Sequence, residues 1–211
     1  MGDFTVIGVT SDILKGLLFL NLKETFNTSF SINNIVLASP KEIEDKGIAS
    51  VRLSLFLYQI VENAYVKNRP MENLGTGELK YPPLSLNFYY LITPYSDESQ
   101  ETTDWDRYTI LGKAMQTLYD NAILRGSALL DVLKEVQHED YYDQIDRICI
   151  TLNPISLDDL TKIWNSLDTP MKLSVGYEVR VVMVESERKK IVSRIVEKHD
   201  DYYQKAGKNG E

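Results

Sequence analysis

The chain has 211 residues, 43% of them hydrophobic and 26% charged, with 23 Lys and Arg against 31 Asp and Glu for a net charge of −8. That balance argues against a nucleic-acid partner, which needs a basic surface to displace phosphate counterions. The one cysteine, Cys149, excludes an intrachain disulfide framework and a multi-cysteine zinc site, and no apolar run reaches the ~18–20 residues of a membrane span.

The length fits one domain carrying a projecting arm: a domain over residues 1–186 and a charged arm over 187–211. The N-terminus lacks a basic stretch followed by a signal-type apolar core, so the expectation is a soluble protein made in the cytosol. Residues 4–26 begin the chain with a helix for which Asp12 is a plausible N-cap. Ile13, Leu17, Leu18, Leu20 and Leu22 are too dense for a surface helix and predict broad burial. A short strand follows over 32–39, stopped by Ser39-Pro40, and 41–47 reads as a solvated connection.

The first long strand lies within 49–63, where Val51, Leu53, Leu55 and Leu57 share one parity. Residues 66–81 carry Asn68-Arg69-Pro70 and Gly75-Thr76-Gly77, which is loop chemistry. Gly-Thr-Gly lacks the following Lys-Ser and helix of a phosphate loop. Residues 82–95 form the second long strand: Leu84, Leu86, Phe88, Tyr90 and Ile92 on one face, and on the other a run from Ser85 and Asn87 to Tyr89 and Leu91. The first face is apolar throughout. The second starts polar and ends apolar, which predicts a strand diving from a solvated rim into a sheet covered on both sides. The two strands flanking the loop predict an antiparallel hairpin with a long exposed tip.

The acidic run 96–103 is a surface loop, and Asp104 is read as the cap of a helix bearing Tyr108, Leu111, Met115 and Leu118 and ending near 119–121. A short helix spans 127–136, a strand 147–152, and Ser156 with Asp159 starts a helix to about 167, stopped by Thr169-Pro170. The third long strand covers 171–186. Beyond Glu187 the chain is charged; Ile191, Ile195 and Val196 give a thin helical stripe, and 207–210 reads as a disordered end. The fold class is therefore α/β (α+β), a mixed and mostly antiparallel sheet packed with several helices.

Chemistry is sparse. His138 lies among acidic neighbours without a second histidine one helical turn away, His199 lies in the tail, and no Gly-x-Ser-x-Gly occurs. Asp158-Asp159 are first-turn charges favoured by the helix dipole. No catalytic, metal or cofactor site is assigned; a small metal-binding protein or enzyme using His138, or a stand-alone adaptor, remain the other readings. Thirteen tyrosines are many for this length, and Tyr and Trp are enriched at interfaces. Trp164 reads as packing helix to sheet, Trp105 as exposed beside the acidic loop.

Four segments, YQIVENAYVKNRP (58–70), PPLSLNFYYLITPY (82–95), ILGKAMQTLYDN (110–121) and LNPISLDDLTKIWNSLDTPMKLSVGYEVR (152–180), occur in an order and spacing that resemble the tube and sheath terminator, or cap, proteins of extracellular contractile injection systems. These are phage-tail-like particles of the antifeeding-prophage and virulence-cassette type. The resemblance implies a subunit related to phage tail terminators, assembled with itself as a homohexamer ring. That ring meets the inner tube protein and the sheath protein, stops tube growth and fixes particle length. It implies no enzyme and no cofactor, and synthesis in the cytoplasm before incorporation into a particle released outside the cell. The candidate contacts are Arg69, Tyr81, Tyr95, Trp105, Lys189, Lys190, Ile191 and Ile195.

Overall fold

The computed structural model describes residues 4–26, 30–48, 50–67, 69–75, 77–96 and 104–191. A six-stranded sheet in the order β1-β2-β5-β8-β7-β6 forms its centre. Its strands are β1 (Ile35–Val36), β2 (Leu53–Glu62), β5 (Leu84–Pro94), β6 (Ile123–Arg125), β7 (Arg147–Asn153) and β8 (Val175–Val184). β1 runs parallel to β2, and every other pairing is antiparallel. The expected pairing of the first two long strands is present, from Leu53↔Pro94 to Glu62↔Leu86. A mixed, mostly antiparallel α/β fold is the result.

Helices α1 (Val6–Phe26), α3 (Asp104–Asp120) and α4 (Gly126–Glu135) cover one face. Against them the sheet presents Leu53, Leu55, Phe88, Tyr90, Ile92, Tyr177 and Val179, all buried. α1 is buried on several sides, by the sheet, α3 and α4, which is why its apolar residues are not confined to one stripe. It crosses α4 closely: a methyl group on Gly16 would meet Val136 Cγ1 at 2.6 Å. The Tyr90 hydroxyl, inside this core, is 2.8 Å from Ser11 Oγ, so the buried polar atom is satisfied.

The second face changes character along β5, although Ser85, expected at a solvated rim, is buried. Where the strand begins, Asn87 accepts from Asn63 Nδ2 (2.8 Å) and donates to Glu178 Oε1 (2.9 Å), which also accepts from Tyr89 (2.9 Å). Where it ends, Leu91 and Thr93 are fully buried. Helix α5 (Leu157–Ser166), capped by Ser156, is held beside β8 by Trp164, which donates from Nε1 to Ser174 Oγ at 3.3 Å.

Several expectations are corrected. Asp12 is not a cap: α1 starts about two turns earlier because Val6 and Val9 extend its buried side, and Asp12 instead lies 3.1 Å from His138 Nε2. Residues 32–39 form a 3-10 turn and only two strand residues. The solvated connection is helix α2 (Pro40–Lys46), with Ser39 accepting from Glu42 N, Pro40 in the first turn and Gly47 left-handed at φ 57°. Asp104 is the first helical residue, not the cap. The loop 66–81 folds into β3 (Glu72–Asn73) and β4 (Glu78–Lys80). Lys189–Ile191 is a strand, β9, where a helical stripe was expected; it pairs with β4 in a second sheet ordered β3-β4-β9. Its backbone groups are satisfied by the neighbouring strand, which a three-residue start to a thinly apolar helix does not offer. Ile195, Val196 and residues 207–210 lie outside the described residues.

β8 begins at Val175 rather than Met171, and one irregularity lies between its pairings Val179↔Phe88 and Val182↔Leu86. The extra residue shifts the alternation, so that Val182, of opposite parity to Val179, is buried in the same core. Gly176, the second residue of β8, lies opposite Asn153, where an added Cβ would stand 2.7 Å from Asn153 O and 2.6 Å from Ile155 Cδ1. Gly176→Ala is expected to cost about 1–3 kcal/mol in urea unfolding, because a strand carbonyl cannot give way as a side-chain tip can.

Candidate interaction surfaces

The predicted contact residues separate to the two ends of β5, about 33 Å apart for eleven extended residues. At its start lies the small sheet. Tyr81 N–H donates to Arg188 O at 3.3 Å, and the Arg188 guanidinium stands 4.6 Å over the Tyr81 ring. Lys189 pairs across β4 with Glu78 at 3.4 Å, Lys80 with Glu185 at 2.5 Å. Lys190 is exposed opposite Leu79, and Ile191 is 80% exposed. Arg69 and Tyr81 line a common cavity of about 180 Å³. This end therefore brings together five predicted residues: Arg69, Tyr81, Lys189, Lys190 and Ile191. β9 is an edge strand among the described residues, with lysines along it, the usual guard against unspecific edge pairing.

At the far end the outcome differs. Tyr95 faces inward: its N–H donates to Arg52 O at 2.9 Å, and the Lys172 ammonium stands 4.9 Å over its ring while reaching Glu44 at 2.6 Å. Burial, with a smaller effect of Glu44, raises the pKa of its hydroxyl above the ordinary tyrosine value. Tyr95 thus packs α2 against the segment before β8. Trp105 is presented outward, 75% exposed in the first turn of α3, which an Arg52–Asp106 ion pair ties to the start of β2.

Sequence reasoning missed the companions of Trp105. α3 buries Ile110, Leu111, Ala114 and Leu118, whereas Tyr108, expected on the packed side, is 53% exposed and Tyr119 is 82% exposed. Positions 105, 108, 112 and 119 fall on one helical stripe. Gly112 sits in its middle with nothing within 4 Å of where a Cβ would be. The spacing was readable in the sequence; what hid it was grouping Tyr108 with the apolar positions and reading Tyr119 only as the end of the helix.

His138, the residue of the metal reading, is engaged by Asp12 and stacks edge-on with Tyr141 at 5.8 Å. Among the described residues no group of three His, Cys, Asp or Glu side chains is arranged to hold a metal ion, and no helix is long and apolar enough to cross a membrane.

The sequence matches the family model of the Pvc16 N-terminal domain over residues 10–198. Among solved structures, the fold is similar to the cryo-EM structure of the sheath/tube terminator of PVC, an extracellular contractile injection system, in its extended state. That chain is 18% identical with a TM-score of 0.60, and the match covers 100% of this chain and 67% of that one. A second similar structure is the tube-terminating cap of the anti-feeding prophage, 20% identical with a TM-score of 0.45, covering 71% of this chain and 48% of that one. No curated protein matches the sequence. The resemblance carried by the four segments is borne out by a family match over most of the chain, so this protein belongs to the Pvc16 N-terminal domain family.

Proposed function

We propose that this chain is the structural cap of a contractile injection particle, made in the cytoplasm and built into the particle as a homohexameric ring. The ring sits on the distal end of the inner tube, engages the end of the sheath, ends assembly and so fixes particle length. The observation that carries this reading is the family match over residues 10–198, supported by a fold like that of the PVC sheath/tube terminator over the whole chain. The role is structural rather than catalytic.

The geometry suits the task. A head-to-tail ring needs two different adhesive surfaces on each subunit, and a cap needs an outer face that templates no further layer. The aromatic stripe of α3, which starts at the far end of β5, and the basic edge around Lys189 and Lys190 at the near end are different in chemistry. We assign α3 to the neighbouring copy, since large aromatic side chains dominate subunit contacts. The edge at β9, with Ile195 beyond it, is assigned to the sheath, by adding a strand or a helix to it.

Native mass spectrometry of the chain with isolated inner tubes tests the reading. Six copies on a tube end, with elongation blocked in a tube-growth assay, are the expected result. A chain that stays off the tubes and leaves their length distribution unchanged overturns it. Removing residues 187–211 is expected to leave tubes capped while at least halving the yield of sheathed particles; unchanged sheathing would remove the role of the arm.

A further inference from the structure

The ladder between β7 and β8 runs from Asn153↔Gly176 to Cys149↔Arg180, yet β8 continues to Val184. Beyond Arg180 one edge of β8 pairs with β5, through Leu86↔Val182 and Leu84↔Val184. Its other edge faces the place that β7 has left, and among the described residues no strand pairs there. A cavity of about 440 Å³ fills this notch, with Val182 and Met183 of β8 on one side and Val66 and Arg69 of the β2–β3 connection among its lining.

The charge of that cavity runs against the chain. Arg69, Arg147 and Arg180 line it, with Asp146 as the one carboxylate of the lining, in a protein of net charge −8. Arg180 reaches Glu178 at 3.4 Å and Thr151 at 3.2 Å. For Arg69 and Arg147 no carboxylate among the described residues forms an ion pair. Guanidinium groups bind carboxylates through two parallel hydrogen bonds, and an open strand edge binds extended backbone.

We propose that this notch is a docking groove for an extended acidic segment of a protein partner. The segment adds to the free edge of β8 as a strand in the line of β7, with its carboxylates against Arg69, Arg147 and Arg180 and its apolar side chains on Val66 and Met183. The groove shares Arg69 with the cavity at the small sheet but otherwise lies apart from the β9 edge and the α3 stripe, and the proposal holds for the chain alone, whether or not it caps a tube.

The full chain is titrated into a fluorophore-labelled octapeptide of alternating valine and glutamate, and anisotropy is read. Saturable binding is expected for this peptide and none for its valine–lysine counterpart. Arg147→Glu and Arg69→Glu, both exposed positions whose variants are checked for unchanged circular dichroism, each weaken binding at least about tenfold. N-methylation of alternate backbone nitrogens, which spares the charge and removes the ladder, weakens it by a similar factor. The proposal is overturned if the intact chain does not bind the acidic peptide. It is also overturned if the N-methylated peptide or a single-stranded oligonucleotide of equal charge binds as well, which leaves only an anion site. Binding that appears only after residues 192–211 are removed would give the notch to the chain's own tail and overturn the proposal in the same way.

Discussion

Trp164→Ala is expected to destabilise the protein by about 3–5 kcal/mol, whereas Trp105→Ala leaves stability within about 0.5 kcal/mol. The two tryptophans both lie on helices, and their surroundings separate them. Trp164 is 1% exposed and is the only buried residue of α5. A ten-residue helix has little stability of its own, so α5 persists because this one side chain is seated against the sheet side of the molecule. Truncation removes the largest fully buried side chain, leaves a cavity beneath α5, and takes the donor from Ser174 Oγ, which keeps only its own bond to Lys172 O. Against a total stability of order 5–15 kcal/mol for a single domain, that loss is a large fraction. Urea unfolding read by circular dichroism measures it, as a lower midpoint at unchanged slope. A midpoint shift for Trp164→Ala no larger than that for Trp105→Ala would contradict the packing described. Fluorescence supplies a second check: Trp105→Ala retains the blue-shifted emission of the buried ring, and Trp164→Ala retains the red-shifted emission of the exposed one.

The long strands were legible because burial writes itself into alternation. In β5 the drift from Asn87 and Tyr89 to Leu91 maps onto a passage from half-buried, hydrogen-bonded side chains to a covered interior, whereas Ser85, expected at the solvated rim, is itself buried. Trp164, read as packing its helix to the sheet, is buried, and Trp105, read as exposed beside the acidic run, is exposed. What stayed hidden has short-range or two-body causes. α2 carries a complete set of start and stop signals in Ser39, Pro40 and Gly47, yet its seven residues bury only Pro40 and Ile43, too few to show a period. β3 and β4 pair locally, but β9 exists because it adds to β4 from more than a hundred residues away, which no local pattern announces. The irregularity in β8 likewise moved the core position to Val182, since alternation cannot reveal an extra residue placed by its neighbours. Of the candidate contacts, Arg69, Lys189, Lys190, Ile191 and Trp105 are exposed, while Tyr81 is half-buried beneath Arg188 and Tyr95 beneath Lys172, since an aromatic at a strand end looks the same in sequence whether a cation covers it or not.

Gly112→Leu is expected to raise the stability of the isolated chain by about 0.5–1 kcal/mol while abolishing ring assembly. The two effects have different origins. Glycine inside an exposed helix sacrifices backbone entropy, and leucine restores it without meeting any atom, because nothing lies within 4 Å of the Cβ position. In a ring that closes through α3, the same bare position lets the neighbouring copy approach between Trp105, Tyr108 and Tyr119, and a leucine there holds it off. Removing the anchors acts in the same direction without bulk: Trp105→Ala with Tyr119→Ala, at about 2 kcal/mol or more for each buried aromatic anchor, weakens each subunit contact by roughly a thousandfold. Both side chains are mostly exposed in the single chain, so the double variant folds with near-native stability. Sedimentation velocity with isolated tubes reads the outcome as hexamers bound for the parent and free monomer for either variant. Retention of tube-bound hexamers by Gly112→Leu would place the subunit contact elsewhere, for no closely packed α3 interface accommodates four added carbons at its centre. Loss of assembly in the double variant together with a large drop in its unfolding midpoint would mean that Trp105 and Tyr119 support the fold, against their exposure, and the assignment of α3 to the neighbouring copy would fall with it.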